Sequence, residues 1–408
     1  MNSLPQELID RVIDLACLPA ATEGNILIAA RACALVNPAW SRRSRQILFS
    51  TIALNPVLLA RWDKNIPDSA QGPASFVRVI YLESPAAEYL IEHIDRLKAF
   101  NQVTVLSLSL FDGETFDGEK IERCFAHFGR TVKFLELLKP KCETSLFAHL
   151  LNLFTGVTRM DIITPHITQD AAKAEYRPLP KLELLRLGLE GDVVFDYGML
   201  EACINLEGVY IPCSRTTAKF WINRLFIRCA DTLKFILVGP EYPGEFKPPP
   251  STRTRSVFSS TCFADRYPVE DALPDHVPLS AHWSIAPCTN ICGINMAVAP
   301  SGPGILAQEI ITSAPTAKLR TVFLIFDCEI EADFESQINF EAWEAFENYL
   351  CDVADRKLKK NPPEKFFVML FFTPYATKYI REAGGGLRLE KFLDGLQKRG
   401  VLKVHARW

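Results

Sequence analysis

Val132-Lys133-Phe134-Leu135-Glu136-Leu137 and, 25 residues on, Val157-Thr158-Arg159-Met160-Asp161-Ile162 share one pattern, apolar-x-x-apolar-x-apolar. The pattern extends outward from this pair in both directions. Before it stand Val77/Ile80/Leu82 and Val103/Leu106/Leu108; after it come Leu182/Leu185/Leu187, Leu206/Val209/Ile211 and Leu233/Ile236/Val238. Chance alone would scatter about six such matches through a chain of this length. The spacing is what decides: successive starts lie 26, 29, 25, 25, 24 and 27 residues apart.

A period of this size, with room for one short strand and one helical return, is that of a leucine-rich repeat. Plausible returns lie between the strands: Glu88 to Phe100, Glu119 to Phe128, Ser145 to Leu153, Tyr197 to Cys203 and Ala218 to Cys229. Each has an apolar face that would pack behind a parallel sheet. The asparagine that usually follows the strand is absent, with Glu83, Ser109, Leu138, Ile163, Gly188, Pro212 and Gly239 in its place. The expected fold class is therefore α/β: an irregular solenoid of parallel strands backed by helices over residues 76–240. The Pro-rich stretch 241–285, with Pro248-Pro249-Pro250, reads as a loop or insertion. Further matches at Ile291/Ile294/Met296 and Leu319/Val322/Leu324 continue the repeats into 286–408. A helix over Phe340–Leu358, a fully buried strand at Phe366–Phe371 and a last strand at Val401–Val404 would end them in a C-terminal cap.

Residues 1–54 follow a different period. Leu4, Leu8, Val12 and Leu15 recur at helical spacing with Ile9, Ile13 and Ala16 beside them, a helix with a wide apolar face. A second helix runs from about Ile26 to Val36. Asn37 can cap a third, with Pro38 at its first position, where a missing N–H breaks no intrahelical bond. Three short helices bury little surface by themselves. Their apolar residues either pack on each other and on the next domain, or wait for a partner. Residues 55–75 form the linker to the repeats.

Composition narrows the classes. Among 408 residues, 48% are apolar and 23% charged, the balance of a folded globular chain and not of a disordered or collagenous one. A net charge of −3 argues against a nucleic-acid partner spread over the surface. The start of the chain has no basic and then apolar run, so no signal peptide is expected. Twelve cysteines show no disulfide-like spacing and there is no Asn-x-Ser/Thr sequon. The setting expected is reducing, cytoplasmic and/or nuclear. Ser284–Gln308 carries no charge, yet its prolines and glycines exclude a continuous apolar helix, so no membrane is expected as a partner.

Leu4-Pro5-Gln6-Glu7-Leu8-Ile9-Asp10-Arg11-Val12-Ile13 followed by Ala34-Leu35-Val36-Asn37-Pro38-Ala39-Trp40, with the tail Ser41 to Phe49 and Thr51-Ile52-Ala53-Leu54, resembles an F-box, most closely those of mushroom-forming fungi. The resemblance covers about 50 residues. It departs in a long Leu18–Asn25 loop and in Asn37-Pro38-Ala39 before the tryptophan. It implies a substrate receptor of a Skp–cullin–F-box ubiquitin ligase, with the head on the Skp-type adaptor, the cullin reached through it, and a protein target on the repeats. By the same resemblance Leu4, Pro5, Leu8, Ile9, Ile13, Leu35, Val36, Trp40 and Leu48 are the adaptor-facing residues, with Trp40 an anchor.

On the repeats, the residue before each last apolar position gives a column on the outer sheet face: Tyr81, Ser107, Glu136, Asp161, Arg186, Tyr210 and Leu237. Tyr81, Glu136, Asp161, Arg186 and Tyr210 are the target-binding candidates, with a basic target element expected near Glu136 and Asp161. An ordinary solvated face is the competing explanation. Catalytic and phosphate-binding motifs are absent from the sequence, which therefore reads as a non-enzyme without cofactor. Asp112-Gly113-Glu114 and Asp117-Gly118-Glu119 have the wrong glycine offset for a calcium loop and read as turns. His276, His282, Cys288 and Cys292 match no common zinc spacing, so no metal is expected. The alternative to a ligase subunit is a repeat scaffold whose N-terminal helices cap the solenoid.

Overall fold

The computed structural model describes residues 5–17, 23–54, 72–83, 91, 97–109, 111–170, 174–188, 195–211, 216–239, 284–298, 302, 305–326, 339–360, 362–372 and 393–406. Leu4, most of the 55–75 linker, most of the expected helix from Glu88 and nearly all of the 241–285 stretch lie outside them. The fold is α/β, with parallel strands alternating with helical returns. Its contacts group into two compact units, residues 1–177 and 178–408.

Unit 1 opens with α1 (Gln6–Cys17), α2 (Glu23–Ala34) and α3 (Pro38–Leu48). Asn37 caps α3 as its sequence suggests: its side-chain oxygen accepts from the Ala39 N–H at 2.8 Å and the Trp40 N–H at 3.2 Å, and Pro38 holds the first position. Ile9, Ile13 and Cys17 of α1 close on Ala30 and Cys33 of α2, with Trp40, Ile47 and Leu48 of α3 packed against them. The Arg43 guanidinium forks onto Asp14 at 2.8 and 2.9 Å and ties α3 to α1.

The parallel ladder follows at once. Thr51–Leu54, which the sequence groups with the head, is strand β1 and pairs in register with β2 (Val79–Glu83). Next come β3 (Val105–Ser109), β4 (Phe134–Leu138) and, after the short β5 (Lys141–Glu143), β6 (Arg159–Ile163). Every apolar triad read from the sequence within this unit is buried. One carbonyl per repeat fixes the register by accepting two successive N–H groups from the next repeat. Ser50 O takes Arg78 and Val79, Arg78 O takes Thr104 and Val105, Thr104 O takes Lys133 and Phe134, and Lys133 O takes Thr158 and Arg159.

The missing asparagine is replaced by backbone. The chain leaves β4 and β6 through Lys139 (φ 50°) and Thr164 (φ 49°), each followed by proline. The Lys139 N–H donates to Ile163 O at 2.8 Å and His166 N–H to Pro140 O at 2.7 Å, which pairs β5 with β7 (His166–Thr168) in a second small sheet.

Unit 2 contains β8 (Leu184–Gly188), β9 (Gly208–Ile211), β10 (Phe235–Val238), β11 (Gly293–Val298), β12 (Thr321–Phe326), β13 (Phe367–Phe372) and β14 (Leu402–Ala406), all parallel and paired in that order. Its triads, including Ile291/Ile294/Met296 and Leu319/Val322/Leu324, are buried too. A 3-10 turn, Tyr197–Ala202, stands where a helix was expected, and the helix Phe340–Leu358 has the bounds expected of it. The uncharged Ser284–Gln308 segment supplies β11, and no helix among the described residues is long and apolar enough to cross a membrane.

The strand at Phe366–Phe371 also departs from expectation. Phe366–Phe371 is not buried on both faces: Phe366, Val368 and Leu370 are in the core, but Phe367, Met369 and Phe371 stay part-exposed. A strand apolar on both faces is normally covered on both; here the described residues cover one.

The same unit holds an acid-sensitive latch. The buried Lys357 ammonium donates to Ala317 O at 2.8 Å and to Glu364 at 2.7 Å, and Lys360 reaches the other Glu364 oxygen at 2.7 Å. Hydrogen bonds from Lys357, then from Lys360, hold the Glu364 carboxyl down at about 2, against an ordinary 4.5. The stabilisation is full above 4.5 and is lost as pH falls toward 2, because the unfolded chain takes up the proton first. Thermal melts from pH 5 to 2.5 are expected to show a shallower loss of stability in Glu364→Gln than in the parent chain; parallel curves would refute this.

Candidate functional site

Two surfaces carry the side chains singled out by the sequence. On the head, the wide apolar face of α1 divides into two edges. Ile9, Ile13 and Cys17, spaced by four, turn inward; Leu8, Val12 and Leu15 turn outward. Ile9 and Ile13, expected on the docking surface, are buried instead. They are the head's own core, because α2 and α3 close over that edge, and Ile13 is 0% exposed. Trp40 and Leu48 are half-buried against the same core.

Pro5, Leu8, Leu35 and Val36 face solvent. Leu35 is 87% exposed, Val36 58% and Leu8 50%. Val12, Leu15 and Ile28, absent from the candidates, are exposed as well. A helical wheel could have found Val12 and Leu15, since they share the Leu8 edge. Beside this patch, a groove between α3 and the 3-10 turn Pro73–Phe76 gathers Arg42, Arg45 and Arg78, and no acid is among its described lining residues. Neither α3 nor this turn adds a catalytic grouping.

On the repeats, the sheet registers place Tyr81, Ser107, Glu136 and Asp161 in one row of unit 1, and Arg186, Tyr210 and Leu237 in one row of unit 2. Asp161 departs from the expected solvated acid. It is 2% exposed, and Arg159, two residues back on the same face, forks onto it at 3.2 and 3.1 Å. The same guanidinium lies 4.4 Å over the Phe134 ring. The Glu136/Asp161 pair is thus half-neutralised from within, and Ser107 beside it is buried. In unit 2, Arg186 stacks on Tyr210 at 5.1 Å. Arg159→Ala would leave a buried carboxylate short of its fork. A loss of about 1–2 kcal/mol is expected by urea unfolding, with Arg159→Lys intermediate. An unchanged midpoint would show that the fork contributes nothing.

Among the described residues nine cysteines are free thiols. Burial pushes Cys124 up to about 11 and Cys142 and Cys288 up to about 12, so they stay protonated at neutral pH and are poor nucleophiles and ligands. Cys288 and Cys292 donate to the Phe226 and Lys234 carbonyls, while His276 and His282 lie outside the described residues. No group of three metal-ligating side chains occurs among the described residues. Asp112 accepts from the Glu114 N–H and Asp117 caps the helix Gly118–Phe125 through the Lys120 N–H, so both acids serve local turns. Burial lowers the affinity of His127 for a proton; its Nε2 lies 2.9 Å from Leu97 O and its Nδ1 has no hydrogen-bond partner among the described residues.

No protein-family model and no curated protein matches this sequence.

Proposed function

We propose that the chain is the substrate-recognition subunit of a Skp–cullin–F-box ubiquitin ligase, built from an F-box head and degenerate leucine-rich repeats. The observation that carries this reading is the second apolar surface of the head. Its own core is closed, yet Leu8, Val12, Leu15, Ile28, Leu35 and Val36 still stand in water. Large apolar side chains grouped on so small a unit mark an interaction face. The F-box resemblance says whose: the Skp-type adaptor. Pro5, Leu8, Leu35 and Val36 meet it, and Trp40 and Leu48 support that surface from behind. The strand face of the repeats holds the protein target. No step of this function asks the chain for a catalytic group or a cofactor.

A scaffold reading has one observation in its favour. Strand β1 continues directly from α3 and covers the edge of β2, which is what a solenoid cap does. Co-expression with the Skp-type adaptor separates the two. A stable complex whose formation depends on Leu8 and Val36 supports the ligase reading; a chain that purifies alone, with those side chains freely replaceable, supports the scaffold.

A further inference from the structure

We propose that the outer face of β10–β13 is the seat of an extended, apolar segment of the target protein, with an acidic residue over Lys403 of β14. This rests on the reading of the strand face as the target surface and names the chemistry it selects.

The registers build the face. One row runs Leu237, Asn295, Phe323, Met369, Lys403 across β10 to β14. A second row holds Ala297, Ile325 and Phe371, and a third Phe235, Thr321 and Phe367. These side chains alternate with the buried triads and so point away from the core. All are part-exposed, and Phe235 is 49% exposed. The Phe323 and Phe371 rings lie 5.6 Å apart and form the centre of the patch.

Two features argue for a protein segment of this composition. First, β13 (FVMLFF) is apolar on both faces and β12 (TVFLIF) is so apart from Thr321 at its start, the composition of strands covered on both sides, while Asn295 is the polar residue of the central row on β11. An apolar strip on a sheet face that the described residues leave part-exposed marks a binding surface. Second, the described outer residues of β10–β14 carry one charge, the exposed Lys403, whose ammonium sits 3.8 Å over the Phe367 ring at the margin. A cation at the rim of an apolar centre selects a carboxylate at the matching end of its ligand. Four strand intervals separate Leu237 from Lys403, about 19 Å, which an extended chain spans in about six residues. The acidic doublet at Glu136 and Asp161 offers a weaker seat, since Arg159 already occupies Asp161.

The test pans the full-length protein against a displayed library of random twelve-residue peptides and measures the enriched peptide by fluorescence anisotropy. The expected consensus alternates aromatic or aliphatic residues over about six positions and ends in Asp or Glu. Phe323→Asp should weaken the enriched peptide at least 30-fold. Phe323→Thr, which keeps strand propensity, should weaken it at least fivefold with an unchanged melting temperature. Lys403→Glu should weaken it about tenfold and recover it when the peptide's acid is replaced by lysine. No enrichment, a basic consensus, or binding indifferent to Phe323→Thr and Lys403→Glu overturns the proposal. So does a dimer in sedimentation that Phe323→Asp converts to monomer, because a second copy would then be the occupant. Adaptor binding measured on the same variants keeps the two readings apart: it should be unchanged by Phe323→Thr, and its absence in the parent chain would sink the ligase reading alone.

Discussion

Leu8→Asp/Val36→Asp is expected to weaken adaptor binding by 100-fold or more while leaving the chain folded. Both side chains are at least half exposed, so their replacement removes little internal contact, and surface changes of this kind typically shift stability by about 0.5 kcal/mol or less. In the complex they would be covered. Fully burying a side chain of this size contributes about 1.5–3 kcal/mol; with about half of each left to bury, the pair supplies roughly 1.5–3 kcal/mol, and the two buried carboxylates add a desolvation cost of at least about 1–3 kcal/mol. Since about 2.7 kcal/mol corresponds to 100-fold in Kd, the double variant should fall below detection in a pull-down and still melt like the parent. Two neighbouring substitutions show why the pair was chosen. Ile13→Asp would place a charge in the head's own core and unfold it, so its loss of binding would mean nothing. Trp40→Ala is mixed, because the indole packs on that core while one part reaches solvent. Calorimetry with purified adaptor gives the number; binding within threefold of the parent would end the proposal that this face docks the adaptor.

The ladder was legible because its signal is redundant. Each triad is weak, but seven at steps of 24 to 29 residues and two more 28 apart specify strand, register and inward face together, and every member is buried. Asn37-Pro38 was legible for a local reason, since capping depends on neighbours in sequence alone. What the sequence concealed depends on distant neighbours. Residues 8, 9, 12 and 13 are equally apolar, and only the positions of α2 and α3 decide which edge of α1 is core. Asp161 reads as solvated because its column holds only the equivalent positions of the other repeats, and Arg159, two residues back on the same face, is in no such column. Phe367, Met369 and Phe371 looked buried because a continuous apolar run implies two covered faces, and the second cover is not part of the described chain. Two of these, the outer edge of α1 and the outer face of β13, lie on surfaces proposed for partners, where a sequence satisfies a neighbour other than itself.

Gly129→Ala is expected to cost unit 1 about 3 kcal/mol, at the upper end of ordinary overpacking. The reason is a close approach and not an unusual dihedral: Gly129 has φ −54° and ψ −28°, which alanine adopts freely. A Cβ there would lie 2.2 Å from the Leu153 carbonyl oxygen at the end of the next helical return. One repeat further along, a Cβ on Gly156 would lie 2.5 Å from the Arg130 carbonyl oxygen. The two glycines also face each other directly, the Gly156 N–H donating to Gly129 O at 3.0 Å. Adjacent repeats thus touch backbone to backbone between the end of one helix and the entry to the next strand. No side chain stands there to swing aside, so a methyl group must push the repeats apart. That displacement would be felt in the register, because Lys133 O must still accept from Thr158 and Arg159 a few residues on. Gly118→Ala is the control. It sits in the same unit at the start of a helix, its added Cβ meets no atom closer than 3.9 Å, and alanine should be neutral or slightly stabilising there. Urea unfolding of the two variants should separate them by at least about 3 kcal/mol, and equal midpoints would mean that the repeats do not stack through these glycines.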